Sequence, residues 1–244
     1  DSLGGAFDFP LAWALRGALA QGGQGFEAVE DALAYPETAL AGSGAVLGRM
    51  VDNHDMPRFL SEANGDGGAT AWQVPAATPA DPRPYLALES ALAIVMTVPG
   101  MPVIYYGDEV GLPGGSDPDN RRVLPDEGAL SASQQHLLAT TRRLGRLRAC
   151  SEALRTGSRE AFLVSKTSYG FARRSTGDAA LVLISSAGEP AQIVPALKAV
   201  PPGTYVDAST LEPFVVGQGA PVDLAPHSFR VLLPENSPCL SAPP

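Results

Sequence analysis

The chain has 244 residues, 45% of them hydrophobic, so it can bury the core of one large domain or two ordinary ones, and wholesale disorder is excluded. Its formal net charge of −9, from 26 acids against 17 bases with no basic stripe, speaks against a nucleic-acid surface. No apolar run reaches the ~18 residues of a membrane span, and Cys150 and Cys239 lack both the spacing and the company of a zinc site.

In chain order, AFDFPL (Ala6 to Leu11) reads as a short strand stopped by Pro10, and LAWALRGALA continues as a helix broken at Gly22, Gly23 and Gly25. FEAVEDALAYP is a second helical piece, ended by Pro36. AVLGRMVD (Ala45 to Asp52) is an apolar run of strand length that leads straight into NHDMPRF. A loop rich in Gly, Ala and Pro covers Ser61 to Pro82. A helix follows over Tyr85 to Val98, with Pro82 and Pro84 near its start and Asp81 as its N-cap. It is apolar on almost all sides and therefore expected to be heavily buried. MPVIYYGDE is another buried strand, ended by Gly107, and a loop with Gly114, Gly115 and DPDNRR comes after it. SASQQHLLATTRRLGRLRAC is an amphipathic helix with Leu137, Leu138, Leu144 and Leu147 as its stripe. Arg142, Arg143, Arg146 and Arg148 crowd its last turns, where the helix dipole favours cations. After about Gly157, short strand-like segments alternate with turn signals, which predicts an all-β antiparallel sandwich over 158–234; the proline-rich 235–244 is expected to be a loose tail.

The first part, 1–157, alternates strand and helix, which implies an α/β fold with parallel strands and crossover helices. Three such strands would leave long apolar edges unpaired. More strands are therefore expected than the chain supplies, on its N-terminal side. The opening DSLGGAFDFP, with neither a starter Met nor a signal-peptide pattern, agrees with a start part-way into something longer.

One feature of the strand reading stands out chemically. VDNHDMPRF places Asp52, Asn53, His54 and Asp55 where a buried strand should be ending. Taken alone, His54-Asp55 reads first as an ordinary surface pair. The company it keeps reverses that preference. FDFPL, VDNHDMPRF, PGMPVIYYGDEVGLPGG and DPDNRR occur here in the order found in the alpha-amylase family of glycoside hydrolases, and the chain resembles that family over nearly its whole length.

The resemblance implies the C-terminal part of a (β/α)8 TIM barrel, about strands six to eight, followed by a β-sandwich domain. FDFPL, AVLGRMVD and MPVIYYGDE would be the three strands, and the NHD motif would sit at the barrel face that carries chemistry. The family is retaining, with a nucleophilic carboxylate and an acid/base carboxyl ~5–5.5 Å apart. Asp55 matches its third catalytic carboxylate, which holds the sugar hydroxyls as the ring distorts towards the oxocarbenium. His54 matches the histidine that binds the same sugar, and Asn53 a residue behind the site. Arg58, Asp119 and Arg121 are expected to bind substrate. Asp108 and Glu109 are expected to anchor a loop.

The family's nucleophile and acid/base motifs are missing from this chain, so it is expected to be inactive by itself, as part of an enzyme acting on α-glucosidic linkages of starch-like glucans or maltooligosaccharides. The alternatives are an α-glucosyl transferase, an α-1,6-specific member, or a non-catalytic amylase-like binding protein. No cofactor or metal ligand is expected in this chain, and calcium belongs, if anywhere, to the complete parent. The expected partners are an oligosaccharide substrate and the missing N-terminal barrel portion, with no nucleic acid and no membrane. The cysteines read first as two small buried thiols; the alternative is one bridge from the tail to the helix ending near Cys150, implying an oxidising compartment. Secreted or periplasmic placement is slightly favoured. His136 and His227 read as structural, Trp13 as core, and Trp72 as a loop residue that either stacks on sugar or does not.

Overall fold

The computed structural model describes residues 4–196, 200–217 and 219–241. The chain divides into two compact units, Asp1–Val95 with Gly100–Arg142, and Met96–Pro99 with Arg143–Pro244.

In the first unit, strand β1 (Gly5–Phe7) ends sooner than its apolar run suggests, because Asp8 leaves the strand to cap the next helix. Its Oδ1 accepts the Leu11 N–H at 3.1 Å. Helix α1 (Phe9–Leu15) therefore begins where the strand was expected to continue, with Pro10 in its first turn, a position that needs no N–H. A π-helical turn, Arg16–Ala20, extends it. Helix α2 (Phe26–Ala39) buries Phe26, Val29 and Leu33 and runs through Pro36 instead of stopping there. Strand β2 (Val46–Arg49) is followed by the short helix α3 (Phe59–Ala63) and by α4 (Arg83–Thr97). Leu88, Leu92, Ile94 and Val95 of α4 are buried, as its apolar sequence requires. Asp81 Oδ1 accepts the Arg83 N–H at 2.9 Å.

Strand β3 is only Met101–Pro102; the expected nine-residue strand instead bends into a 3-10 turn at Asp108–Val110, between Gly107 (φ 93°) and Gly111 (φ 60°). The three strands form a parallel sheet in the order β1-β2-β3, with Phe7 opposite Gly48 and Gly48 opposite Met101. A side chain on Gly48 would meet the Phe7 ring at 3.1 Å, so the glycine makes room for that ring. The face that carries Phe7, Val46 and Met101 is exposed. Its reverse buries Arg49, whose guanidinium pairs with the Asp8 carboxylate.

Helix α5 (Ala132–Cys150) passes from the first unit's residues into the second's at Arg143, earlier than the expected boundary at 157. Helix α6 (Glu152–Thr156) is capped by Ser151. The strands β4 (Ser158–Val164), β5 (Ser168–Ser175), β6 (Asp178–Ser185), β7 (Ala191–Ile193), β8 (Gly203–Asp207), β9 (Pro213–Val216), β10 (Val222–Leu224) and β11 (Ser228–Pro234) make two antiparallel sheets. One has the order β4-β5-β6-β11-β8-β9, and the other pairs β10 with β7. Both contribute to one core, from Leu181, Leu183 and Leu232 in the large sheet to Ile193, Val222 and Leu224 in the small one. The β10 segment carried no strand signal of its own. Its three residues gain their ladder only from β7.

Two readings are corrected in this unit. Cys150 and Cys239 are joined in a disulfide, with Cα atoms 5.7 Å apart across 89 residues. The expected loose tail is held over its described part, because Glu235 N–H donates to Thr204 O at 3.1 Å and Cys239 is bridged; residues 242–244 lie outside the described residues.

Candidate active site

Asp52 and Val51 follow β2 and are buried, whereas the next residues turn outward. Asn53 makes the turn: its Oδ1 accepts the Asp55 N–H at 2.8 Å. His54 and Asp55 stand in solvent, with side chains 59% and 67% exposed and His54 Nε2 3.3 Å from Asp55 Oδ1. Arg121 reaches the same Asp55 oxygen at 3.8 Å and holds Asp117 at 2.8 Å. The product is an open cluster of two carboxylates, one imidazole and one guanidinium, all able to address hydroxyl groups.

The loop that presents this cluster is fixed from below. Asn120, fully buried, donates from Nδ2 to His54 O at 2.8 Å and to Met56 O at 2.9 Å. Arg16 donates to Val51 O at 3.0 Å and Pro57 O at 2.7 Å, and pairs with Glu62 at 2.7 Å. The loop's own carbonyls, which water would otherwise take, are thereby satisfied by two buried side chains.

Arg58 and Asp119, expected to bind substrate, are corrected by their burial. Arg58 is 0% exposed. Its Nε donates to Asn120 O at 2.9 Å, its Nη1 to Tyr106 O at 2.7 Å and to Asp108 Oδ1 at 3.2 Å, and its guanidinium lies 4.0 Å from the Tyr105 ring centroid. Asp119 is buried and accepts from Gly115 N at 2.7 Å, Ala76 N at 3.1 Å and Arg122 at 2.7 Å. Burial works against its charge, but these donors prevail and hold its carboxyl below the usual carboxylate range. Both residues shape the site and do not face it. Asp108 and Glu109 do anchor the loop, Asp108 through Arg58 and Glu109 by accepting the Gly107 N–H at 2.8 Å.

Sequence reasoning missed Arg16 and Asn120. Asn120 lay inside the quoted DPDNRR run, but nothing in its position along the chain shows that it points back to a loop 64 residues earlier. Trp13, read as core, is 59% exposed, and His136 has acidic company after all, 3.6 Å from Glu89. Trp72 is 86% exposed. Among the described residues no group of acids, histidines and cysteines could hold a metal, and no helix is long and apolar enough to cross a membrane.

Comparison with known proteins gives the cluster its context. No family model matches. The chain is 30% identical over 184 residues to a beta/alpha-amylase of Paenibacillus polymyxa, covering 75% of this chain and 14% of that protein. It is 34% identical over 159 residues to a cyclomaltodextrin glucanotransferase of Paenibacillus macerans, covering 65% and 19%. Among solved structures, an alpha-amylase of Anoxybacillus superposes with a TM-score of 0.78 at 22% identity, over 95% of this chain and 48% of that one. The chain matches the C-terminal portion of alpha-amylase-family proteins. A further neighbour, AmyP in complex with maltose, has a TM-score of 0.78 at 22% identity, over 96% and 50%. The chain thus spans less than a fifth of these curated relatives and about half of these solved chains. Its mixed α/β architecture is theirs in outline.

Proposed function

We propose that this chain is the sugar-clamping part of an enzyme that cleaves α-glucosidic linkages in starch-like glucans or maltooligosaccharides. The observation that carries the reading is the exposed His54–Asp55 pair, with Arg121 beside it, at the C-terminal end of β2. Asp55 would accept hydrogen bonds from two hydroxyls of the sugar at the cleaved bond, and His54 would donate to the same ring. Contacts that tighten as the ring flattens lower the barrier, at ~1.4 kcal/mol for each tenfold in rate. Asn53, Asn120 and Arg16 hold the loop so that these groups are in place before substrate arrives.

In this reading β1, β2 and β3 are the sixth, seventh and eighth strands of a (β/α)8 barrel. The parallel order supports it, as does the exposed apolar face of Phe7, Val46 and Met101, which the remaining barrel portion would cover. The nucleophile and the acid/base would come from that portion, along with any calcium. The disulfide supports secreted or periplasmic placement, since such bonds persist in oxidising compartments. Transfer to another glucan instead of to water is the second reading. It is favoured by the run of cyclomaltodextrin glucanotransferases among the curated relatives.

The test is an assay of the pure chain on soluble starch and maltooligosaccharides, alone and with the upstream barrel portion of the parent protein added. The expected result is no turnover alone and turnover on reconstitution that Asp55→Asn abolishes. Turnover by the isolated chain, or an active Asp55→Asn complex, would overturn the proposal.

A further inference from the structure

Beneath the exposed loop lie two acids that the sugar chemistry does not use. Asp52, after β2, is 1% exposed, and Asp108, in the turn after β3, is 2% exposed. Each has one oxygen satisfied: Asp52 Oδ2 accepts the Phe59 N–H at 2.6 Å, and Asp108 Oδ1 accepts from Arg58 Nη1 at 3.2 Å. The other oxygen of each, Asp52 Oδ1 and Asp108 Oδ2, is buried without any donor among the described residues. Asp52 bears on Asp108 through its charge, and both acids feel the Arg58 guanidinium. Two buried carboxylates that feel each other in a dry site repel, and each has one oxygen with no donor to repay its lost water. One proton placed between them removes both problems.

We infer that Asp52 and Asp108 hold a single proton between them, as a carboxyl–carboxylate pair clamped by Arg58, and that this pair positions the loop presenting His54 and Asp55. With one proton the pair carries one negative charge against the one positive charge of Arg58. Each acid keeps one oxygen as an acceptor, Asp52 for the Phe59 N–H and Asp108 for Arg58, and the proton is held by the other two. Asp52 lies three residues beyond β2 and Phe59 opens α3, so that bond closes the whole Asn53–Arg58 loop on itself. Arg58 in turn joins the Asp108 turn to the Asn120 carbonyl, and Asn120 holds His54 and Met56. Asp52 and Asp108 are thus positioning residues.

The charged groups that act on the pair are Arg58 and Arg16, and the titratable Tyr105 and Tyr106 lie with their rings against Arg58. Arg16 is committed to Glu62 and to two carbonyls. Loss of the shared proton to solvent would therefore leave two buried anions against Arg58 alone. Burial, and then the charge of Asp52, pushes Asp108 well above the ordinary carboxylate range, in agreement with a proton retained there. The titration belongs to the pair and is expected as one event that both residues report.

The experiment uses the whole chain labelled with carbon-13 at aspartate side chains, followed by NMR from about pH 3 to about pH 10. An unpaired aspartate titrates at about 3.9. The expected result is a joint transition of the Asp52 and Asp108 carboxyl carbons well above that, with the backbone amides of His54 and Asp55 moving at the same pH. Asp108→Asn, whose amide N–H is a permanent donor in the place of the proton, should remove this transition and keep the loop amides at their low-pH positions. Two separate titrations in the ordinary range overturn the inference, as does a loop transition that persists in Asp108→Asn. Should that variant fail to fold, the wild-type titration decides by itself. None of these readouts needs substrate, so the inference can fail while the sugar reading stands, and the reverse.

Discussion

Replacing Arg58 by Met is the most informative perturbation of this chain. The variant keeps an apolar stem against Tyr105 and Tyr106 and deletes only the guanidinium. The deletion strips donors from Asn120 O at 2.9 Å and Tyr106 O at 2.7 Å, and it removes the cation 3.2 Å from Asp108. Each charged hydrogen bond is worth about 1.5–3 kcal/mol by itself, but such values do not add, because the unfolded chain regains water at every group. Measured losses from breaking one partner of a buried ion pair, about 3–5 kcal/mol, set the scale near neutral pH. The loss should shrink towards about 1–2 kcal/mol at acidic pH, as the acids take up protons and only the carbonyl partners are missed. The sign follows from linkage: without Arg58 the folded acids hold protons more tightly than before, so the variant loses more stability as pH rises. Urea unfolding of wild type and variant at the two pH values reads both numbers from the midpoints. A loss below about 1 kcal/mol at neutral pH, or the same loss at both, would refute the account of Arg58 as the counter-charge of a buried acid pair.

Three further outcomes follow from other contacts. Asn120→Ala removes the donors to His54 O and Met56 O and should cost about 1–3 kcal/mol, with faster amide hydrogen exchange at His54 and Asp55 and none added in the sheets of the second unit. Cys150→Ser with Cys239→Ser opens a loop of 89 residues and should lower stability by about 2–4 kcal/mol, with an upper bound near 5 from chain entropy; reductant should lower the melting temperature of the wild type and leave the variant unchanged. The lowered carboxyl of Asp119 contributes stability that is present above about pH 4 and lost as pH falls through its folded value. Asp119→Asn should accordingly flatten the acid limb of the stability curve below about pH 4, and an unchanged limb would show that another group causes it.

The sheet was legible in the chain because apolar runs of strand length punctuated by Gly and Pro have few other uses. What local sequence misjudged were the ends. Pro10 was read as stopping a strand, yet Pro is equally at home in a helix's first turn, and the choice rested on whether Asp8 would cap. The MPVIYYGDE run kept its strand character on paper, but only Met101–Pro102 finds a partner in the ladder. β10 was invisible because three residues make a strand only when a neighbour supplies the hydrogen bonds.

The candidate site divides in the same way. By itself, the order of residues determined that His54 and Asp55 sit together just beyond a buried strand, since their spacing and their position after an apolar run are both local facts. It could not determine which charged neighbours face solvent. Arg58, Asp119 and Arg121 look alike as letters, but only Arg121 stands beside Asp55. Burying a charge is tolerable only where partners from distant loops converge on it. Arg58 finds them at Tyr106, Asp108 and Asn120, and Asp119 at Ala76, Gly115 and Arg122. That convergence is a property of the folded chain alone, and it decides which residues face solvent and which hold the loop that presents them.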